Sequence, residues 1–182
     1  MVKRINKIKI DKIYLIFLRY LVLLGLIFSL PLIYLIFTPL TLYPVVGLLS
    51  LIYGQVLVNQ HVIAIAGKSF IELVPACIAG SAYLLLLMLN LSVPMKLKQR
   101  IYDILVSFAA LLMLNILRIF ILSILYHSGS AFFDITHKLF WYGLSTIFVV
   151  GIWFLIVKIF AIEPIPVYSD IKYFLKTIKK GK

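Results

Sequence analysis

The sequence predicts an all-α membrane protein with about four transmembrane helices, an outer interfacial helix and a short extracytoplasmic β-hairpin. Hydrophobic residues make up 64% of its 182 residues and charged residues only 13%, whereas a soluble domain is nearer half apolar and a quarter charged. The apolar residues form runs of the length that a bilayer-spanning helix requires, about 20 residues. The lysines and arginines, which dominate a formal net charge of +12, lie mostly at the flanks of these runs.

The predicted spans belong to one transmembrane domain, residues 14–162, which follows a basic cytoplasmic N-terminus, residues 1–13. The first apolar run is too long for a signal-peptide core of about 7–15 residues, and no small-residue cleavage pattern follows it. We therefore expect a retained signal anchor. The predicted spans are residues 14–37, 75–93, 101–126 and 136–162.

The distribution of basic residues predicts the side of the membrane on which each loop lies. Lys96, Lys98 and Arg100 separate the second and third spans, and basic loops face the cytoplasm. The N-terminus and the tail, residues 163–182, are also basic and should lie on the same side. An even number of spans satisfies this pattern, so segment 41–58, which is interrupted by proline and glycine, is predicted to be interfacial or re-entrant. The alternative is a fifth span, which would place the Lys96 loop outside.

A β-hairpin is predicted at residues 61–74. This stretch is rich in β-branched residues, and Gly67 followed by Lys68 suits a type II′ turn. A hairpin with open edges cannot lie in lipid, so we expect it on the outer surface. From Ser169 to Lys182 the tail carries apolar residues on one helical face, which suits a helix lying on the inner leaflet.

Composition and spacing exclude several classes of function. The basic residues are grouped at span ends rather than over a soluble face, so no nucleic-acid partner is expected. The three histidines lie far apart in the sequence and form no His-Glu-x-x-His motif, so no metal or other cofactor is predicted. Cys77 is the single cysteine of the chain, which makes an internal disulfide impossible.

Arg118 is the most informative residue of the sequence. An arginine inside a span costs roughly 2.5 kcal/mol or more, and intramembrane charges are usually functional. Asn115 lies three positions earlier and therefore on the same helical face. We expect it to support Arg118, either by orienting it or by capping a substrate carbonyl. The alternative is a snorkelling arginine that only pairs with a carboxylate.

Cys77 and His137 are predicted to lie near the level of Arg118. At 1.5 Å per residue, Cys77 and Arg118 each stand roughly 25 Å above the Lys96 loop, and His137 stands roughly 31 Å above the cytoplasmic end of its helix. Cys77 follows Pro75 at the start of a predicted helix, whose positive end favours a thiolate. A thiolate, an imidazole and a guanidinium are the parts of an acyl-transfer site. The alternatives are a small buried hydrophobic cysteine and a solvated histidine.

At these residues the chain resembles the exosortase/archaeosortase family of membrane transpeptidases, in particular a compact archaeal branch. The resemblance runs from segment 41–58 through the last span. It rests on Pro75-Ala-Cys77-Ile-Ala-Gly80, on Asn115-Ile-Leu-Arg118-Ile119, and on His137 followed by Phe140-Trp141. The resemblance implies that Cys77 is the nucleophile and that Arg118 and His137 complete a catalytic triad. The family usually has Cys-Ser-Gly or Cys-Thr-Gly at the nucleophile, whereas Cys77 is followed by Ile-Ala-Gly.

The resemblance also implies a substrate class and a location. The expected partners are exported proteins that end in a tripartite sorting signal: a short motif, one apolar span and a basic cluster. The enzyme is expected to be a multi-pass protein of the plasma membrane with its active site facing outside. It would cleave the signal through a thioester and pass the new carboxyl end to a lipid or another acceptor.

Two other functions remain open at this point. The altered stretch after Cys77 motivates a catalytically inactive membrane scaffold of the same fold. Arg118 alone would also suit a small anion transporter. The third span has few polar residues in its middle, which argues against a continuous pore.

Overall fold

The computed structural model describes residue 14 and residues 16–93 and 95–160. Within these ranges the chain is mostly helical, with one small antiparallel sheet. The helices are α1 Ile16–Tyr53, α2 Pro75–Ile78, α3 Gly80–Ser92, α4 Leu97–His127, α5 Phe132–Leu139 and α6 Ser145–Ile159. The strands are β1 Val56–Asn59, β2 Val62–Ile65 and β3 Ser69–Glu72. The expected basic N-terminus, residues 1–13, and the tail, residues 163–182, lie outside the described residues.

Three described helices are long and apolar enough to cross a membrane. They are α1, α4 and the continuous helical stretch Phe132–Ile159, which joins α5 to α6 through a π-helical turn, Phe140–Leu144. Helix α3 is also apolar but has only 13 residues. These lengths agree with a membrane protein, because a helix needs about 20 apolar residues to span the hydrocarbon core.

The first helix corrects the predicted boundaries. Residues 41–58 were expected to form a separate interfacial or re-entrant segment, but α1 continues without a break from Ile16 to Tyr53, apart from a 3-10 turn at Leu26–Ser29. Pro39 and Pro44 lie inside the helix. Prolines are tolerated within membrane helices because neighbouring helices and local adjustments satisfy the freed backbone groups. Proline was therefore a poor indicator of a boundary in this apolar setting.

The predicted hairpin is present and is part of a larger sheet. Strands β2 and β3 pair antiparallel within residues 61–74, and β1 adds a third strand, in the order β1-β2-β3. The turn differs from the expected type II′ on Gly67 and Lys68. The N–H of Lys68 donates to the carbonyl of Ile65, and both central residues, Ala66 and Gly67, have positive φ. Positive φ at both positions is the pattern of a type I′ turn.

Helix α4 is the centre of the bundle, because α1, α3 and α6 all pack on it. An aromatic cluster joins three of these helices. Phe37 of α1 stacks on Tyr83 of α3 with ring centroids 3.8 Å apart, and Phe108 of α4 meets both rings edge-on. Such ring pairs contribute about 0.5–1.5 kcal/mol beyond their buried area. The cluster fixes α1 and α3 against the same part of α4.

The predicted span 75–93 is broken into α2 and α3. Ala79 separates them with φ 61° and ψ 35°, the left-handed region. This conformation costs an L-residue roughly 1–2 kcal/mol, so the surrounding structure must hold it in place. The other two predicted spans lie within the observed helices, although the last one begins earlier, at Phe132, and is described only to residue 160.

Candidate active site

A cavity of about 230 Å³ lies between β3, α2, α4 and α5. Cys77 of α2, Arg118 of α4 and His137 of α5 all contribute to its wall. The structure therefore brings the three predicted triad residues to one space, although they come from separate helices and lie up to 60 positions apart in the sequence. Asn115 lies just below, where a second cavity of about 20 Å³ shares Arg118 with the first.

Cys77 is presented by a short, interrupted piece of helix. Helix α2 has four residues, begins at Pro75 and ends where Ala79 turns the backbone. A helix this short has only a small dipole, so it gives little of the expected stabilisation of a Cys77 thiolate. Gly80 follows the break, and a Cβ on it would lie 2.5 Å from the Tyr34 ring. Only glycine lets α1 approach the break this closely, and the half-buried Cys77 side chain is turned towards the cavity.

Asn115 holds the backbone beside Cys77 rather than orienting Arg118 or facing a substrate. Its Nδ2 donates to the carbonyl of Cys77 at 2.9 Å and to that of Ile78 at 3.3 Å. The break at Ala79 frees the carbonyl of Ile78, because the N–H of Ala82, its partner in a regular helix, pairs with the carbonyl of Ala79 instead. A buried carbonyl without a donor costs about 1–3 kcal/mol. Asn115 therefore stabilises the strained conformation that presents the thiol.

Arg118 is fixed from one side and faces Cys77 on the other. Its side chain is only 9% exposed, and its Nη1 donates to Ser145 Oγ at 3.0 Å. Arg118 and Cys77 line the same cavity, so the guanidinium supplies a positive charge to the space that holds the thiol. Nε is buried and has no hydrogen-bond partner among the described residues.

The π-helical turn places Ser145 and His137 on one face of the last helical stretch. Eight positions separate them, which on a regular α-helix would rotate their side chains about 80° apart. A π turn contains one extra residue, so the effective spacing is seven and the offset falls to about 20°. Ser145 Oγ also donates to the carbonyl of Phe140 at 2.6 Å, which ties the turn to the residue that holds Arg118.

His137 is half-buried at the cavity wall. Its ring stacks on Phe133, with centroids 5.5 Å apart and planes 9° apart, and meets Trp141 edge-on. These contacts limit the rotation of the imidazole and keep it next to the cavity. An imidazole in this position can exchange a proton with a group bound between it and Cys77.

Sequence reasoning missed several residues of the site. Ser145 could not be identified from the sequence, because no regular spacing of apolar and polar residues predicts the π turn that brings it to Arg118. Ser123 lies five positions after Arg118 on α4, is 2% exposed, and has no partner for its Oγ among the described residues. Glu72 and Phe70 belong to the predicted hairpin, but nothing in the sequence indicated that β3 forms a wall of the cavity.

A second polar cluster lies near the other end of α4. Asn90 of α3 donates to Ser107 Oγ at 3.2 Å, and Ser107 donates to the carbonyl of Asp103 at 2.7 Å. Asp103 is fully buried, and its carboxylate oxygens have no hydrogen-bond partner in the described part of the chain. This cluster joins α3 to α4 and is remote from Cys77.

The chain matches no protein-family model, and no curated protein or solved structure matches it either. Within residues 16–93 and 95–160, no group of three His, Cys, Asp or Glu side chains is placed to hold a metal ion.

Proposed function

We propose that this chain is a membrane-embedded cysteine transpeptidase or peptidase of the exosortase/archaeosortase type. The observation that supports the proposal is the arrangement of Cys77, Arg118 and His137 around one cavity, with the guanidinium held by Ser145. A nucleophile, a fixed cation and a proton-transfer group around a space large enough for a substrate are the requirements of acyl transfer.

In the proposed first step, the Cys77 thiolate attacks the carbonyl carbon of a peptide bond. The carbonyl oxygen becomes an oxyanion, and the Arg118 guanidinium stabilises it. His137 in its protonated form gives a proton to the departing amine. The carbon–nitrogen bond then breaks, which leaves the N-terminal part of the substrate on Cys77 as a thioester and releases the C-terminal part.

In the proposed second step, an acceptor amine or water attacks the thioester carbon. His137 takes the proton of the attacking group, and Arg118 again stabilises the oxyanion. The carbon–sulfur bond breaks and restores the Cys77 thiolate. Asn115 and Ser145 act as positioning residues: one holds the backbone of the nucleophile and the other holds the guanidinium.

The membrane arrangement we propose has four spans, with α2 and α3 together forming the second. The loop that carries Lys96, Lys98 and Arg100 faces the cytoplasm, according to the distribution of positive charge. The cavity then lies near the outer surface, because it is built around the opposite half of α4. Exported proteins with a tripartite C-terminal signal are the proposed substrates, and a lipid or another amine is the acceptor.

Alkylation of Cys77 tests the proposal. A membrane-impermeant iodoacetamide reagent is added to intact cells that express wild type, Arg118→Met or Cys77→Ala, and labelling is followed over time. We expect rapid labelling of wild type from outside and labelling of Arg118→Met that is at least about tenfold slower, because the neighbouring positive charge is lost. Arg100→Met, at the far end of α4, is the control and should label like wild type.

Processing of a tailed reporter completes the test. Secreted reporters that end in tripartite tails from the source organism are co-expressed, and loss of the tail is measured by mass. Cys77→Ala should abolish processing. If Cys77 is labelled slowly and at the same rate in wild type and Arg118→Met, the chain is an inactive scaffold. Labelling only after the membrane is opened would refute the proposed orientation.

A further inference from the structure

Strand β3 is an edge strand with one side unpaired by the sheet. The strand order is β1-β2-β3, and β3 pairs only with β2 within the sheet. An edge strand presents a row of backbone N–H and C=O groups to which another extended chain can add. Such an edge is of interest here because β3 leads into α2, which carries Cys77, through the two residues Leu73 and Val74.

The hydrogen-bond pattern shows which groups of β3 face outward. The N–H of Leu73 donates to the carbonyl of His61, on the β2 side. Backbone groups of successive residues in a strand point in opposite directions. Ile71 and Leu73 therefore point their N–H and C=O groups towards β2, whereas Phe70 and Glu72 point theirs away from the sheet.

The outward edge of β3 borders the cavity. Four consecutive residues, Phe70 to Leu73, contribute to its wall together with Cys77 and Arg118. Consecutive residues of a strand place their side chains on opposite faces, so a wall built from all four must include the strand edge. The free backbone groups of Phe70 and Glu72 are thus next to the proposed nucleophile.

Strand β3 runs along α4 from the end of that helix towards Arg118 and Cys77. Ser69, at its start, lies beside His127 at the end of α4, with Oγ 3.0 Å from Nδ1. Cys77 lies beside Asn115, 12 positions and therefore about 18 Å further down the helix. A chain that runs parallel to β3 would accordingly pass from the Tyr126 end of the cavity to Arg118 and the thiol.

We propose that β3 is the template for an extended peptide that adds to the sheet as a fourth, parallel strand. The segment that precedes the scissile bond would pair with the outward groups of Phe70 and Glu72, which delivers its last carbonyl to Cys77. This inference rests on the proposed role of Cys77 as nucleophile. Main-chain pairing of this kind gives affinity through the backbone, whereas side-chain contacts give specificity.

Side-chain chemistry next to the edge selects the peptide further. Phe70 is 63% exposed and lies at the cavity wall. Its ring can therefore pack against an apolar side chain of the added strand. Proline is excluded at every second position, because the N–H there is needed for pairing. The ligand class is therefore an extended peptide with an apolar residue and no proline at the paired positions.

Peptide chloromethyl ketones provide the probe, because they alkylate a thiol with loss of chloride and carry a backbone that can pair with β3. The full chain in lipid nanodiscs is treated with acetyl-Ala-Leu-Ala-Ala chloromethyl ketone, and labelling of Cys77 is followed by mass spectrometry. A series of analogues carries one N-methyl group at each amide in turn. We expect methylation at alternate amides to slow labelling about three- to tenfold, the effect of one lost backbone hydrogen bond, and methylation at the others to change it little.

Two proline variants test whether the peptide pairs with the backbone of β3. Glu72→Pro removes an outward N–H of β3, and Glu72→Gln keeps that N–H while it removes the charge. Val58→Pro is the matched control, since Gln55 pairs with Ala66 and Val58 therefore points its N–H away from β2 at the other edge of the sheet. Labelling by the peptide should be about three- to tenfold slower in Glu72→Pro than in Glu72→Gln, and it should stay unchanged in Val58→Pro.

Labelling by iodoacetamide, which has no peptide backbone, separates the two proposals. Fast iodoacetamide labelling of wild type, combined with peptide labelling that is uniform across the methylated series, would overturn the template and leave the nucleophile intact. Slow labelling by both reagents in wild type would overturn the nucleophile and the template with it. The methylated series uses the wild-type chain, so it decides the question even where a proline variant fails to fold.

Discussion

The two halves of α4 carry polar side chains of similar kind in opposite settings. Near its start, Asp103 and Ser107 are sealed against α3 with Asn90, on regular helices. Near its end, Asn115 and Arg118 reach across to an interrupted backbone and a cavity. Each cluster combines an asparagine with a charged residue, which is acidic in the first and basic in the second. The backbone that faces the two clusters also differs.

This difference teaches that a buried polar residue indicates a site only when something beside it is irregular. In the first half, Asn90 donates to Ser107 and the pair joins two helices, although Asn90 Oδ1 has no partner among the described residues. In the second half, asparagine satisfies a carbonyl that the break at Ala79 leaves free, and arginine is held by a residue that the π turn brings into reach. Left-handed residues and π turns are both enriched at functional positions.

Replacing the two asparagines gives the largest expected contrast. Asn115→Leu and Asn90→Leu each remove buried hydrogen bonds and should each lower the free energy of unfolding by about 1–3 kcal/mol. Only Asn115→Leu should slow alkylation of Cys77, by about 100-fold, because it displaces the nucleophile. Thermal midpoints in detergent and alkylation rates in nanodiscs measure the two effects. Equal alkylation rates in both variants would show that the halves are equivalent.

Gly80→Ala should reduce stability through the Tyr34 ring. Its new Cβ would lie 2.5 Å from that ring, and overpacking of this kind typically costs about 1–3 kcal/mol. Gly47→Ala is the matched control on α1, where nothing lies within 4 Å of the new methyl group. Thermal unfolding compares the two, and Tyr34→Ala in the Gly80→Ala background should restore the midpoint. Failure of that rescue would show that Gly80 is required for another reason.

Ser145→Ala should reduce alkylation of Cys77 by about tenfold, since the charged guanidinium of Arg118 loses the hydroxyl to which it donates. Ser92→Ala is the control, because Ser92 Oγ donates only to its own helix, at the carbonyl of Leu89. Ser145→Thr keeps the hydroxyl and should retain most of the rate. If Cys77 is alkylated at the same rate in Ser145→Ala as in wild type, Ser145 is not a positioning residue.

Asp103→Asn should have the smallest effect. The carboxylate is fully buried without a partner among the described residues, so a neutral side chain of the same shape relieves a desolvation penalty. We expect the thermal midpoint to stay or rise and alkylation of Cys77 to change by less than about twofold, as is usual for distant, independent sites. A larger change in alkylation would show that the two halves of α4 communicate.

The features that could be predicted from the sequence are those that depend on the spacing of apolar residues and on polar residues within apolar runs. Arg118 and Asn115 were identifiable because a charge and an amide stand out in an apolar run, and the hairpin because its turn residues separate two β-branched stretches. The break at Ala79 was not predictable, since alanine rarely adopts positive φ and the bonds from Asn115 to the carbonyls beside it come from a residue far away in the sequence. The unbroken α1 was missed because its prolines suggested a boundary that the apolar surroundings do not enforce.

The length of α1 has a mechanical consequence. Its 38 residues extend about 57 Å, whereas the hydrocarbon core of a bilayer is about 30 Å thick. Tilt of ordinary size cannot absorb this mismatch, because membrane helices rarely tilt beyond about 40°. Part of α1 would therefore stand clear of the core in the proposed arrangement, and β1 follows its end after Gly54 and Gln55. If the proposed orientation holds, bilayer thickness would set the height of the sheet above the lipid.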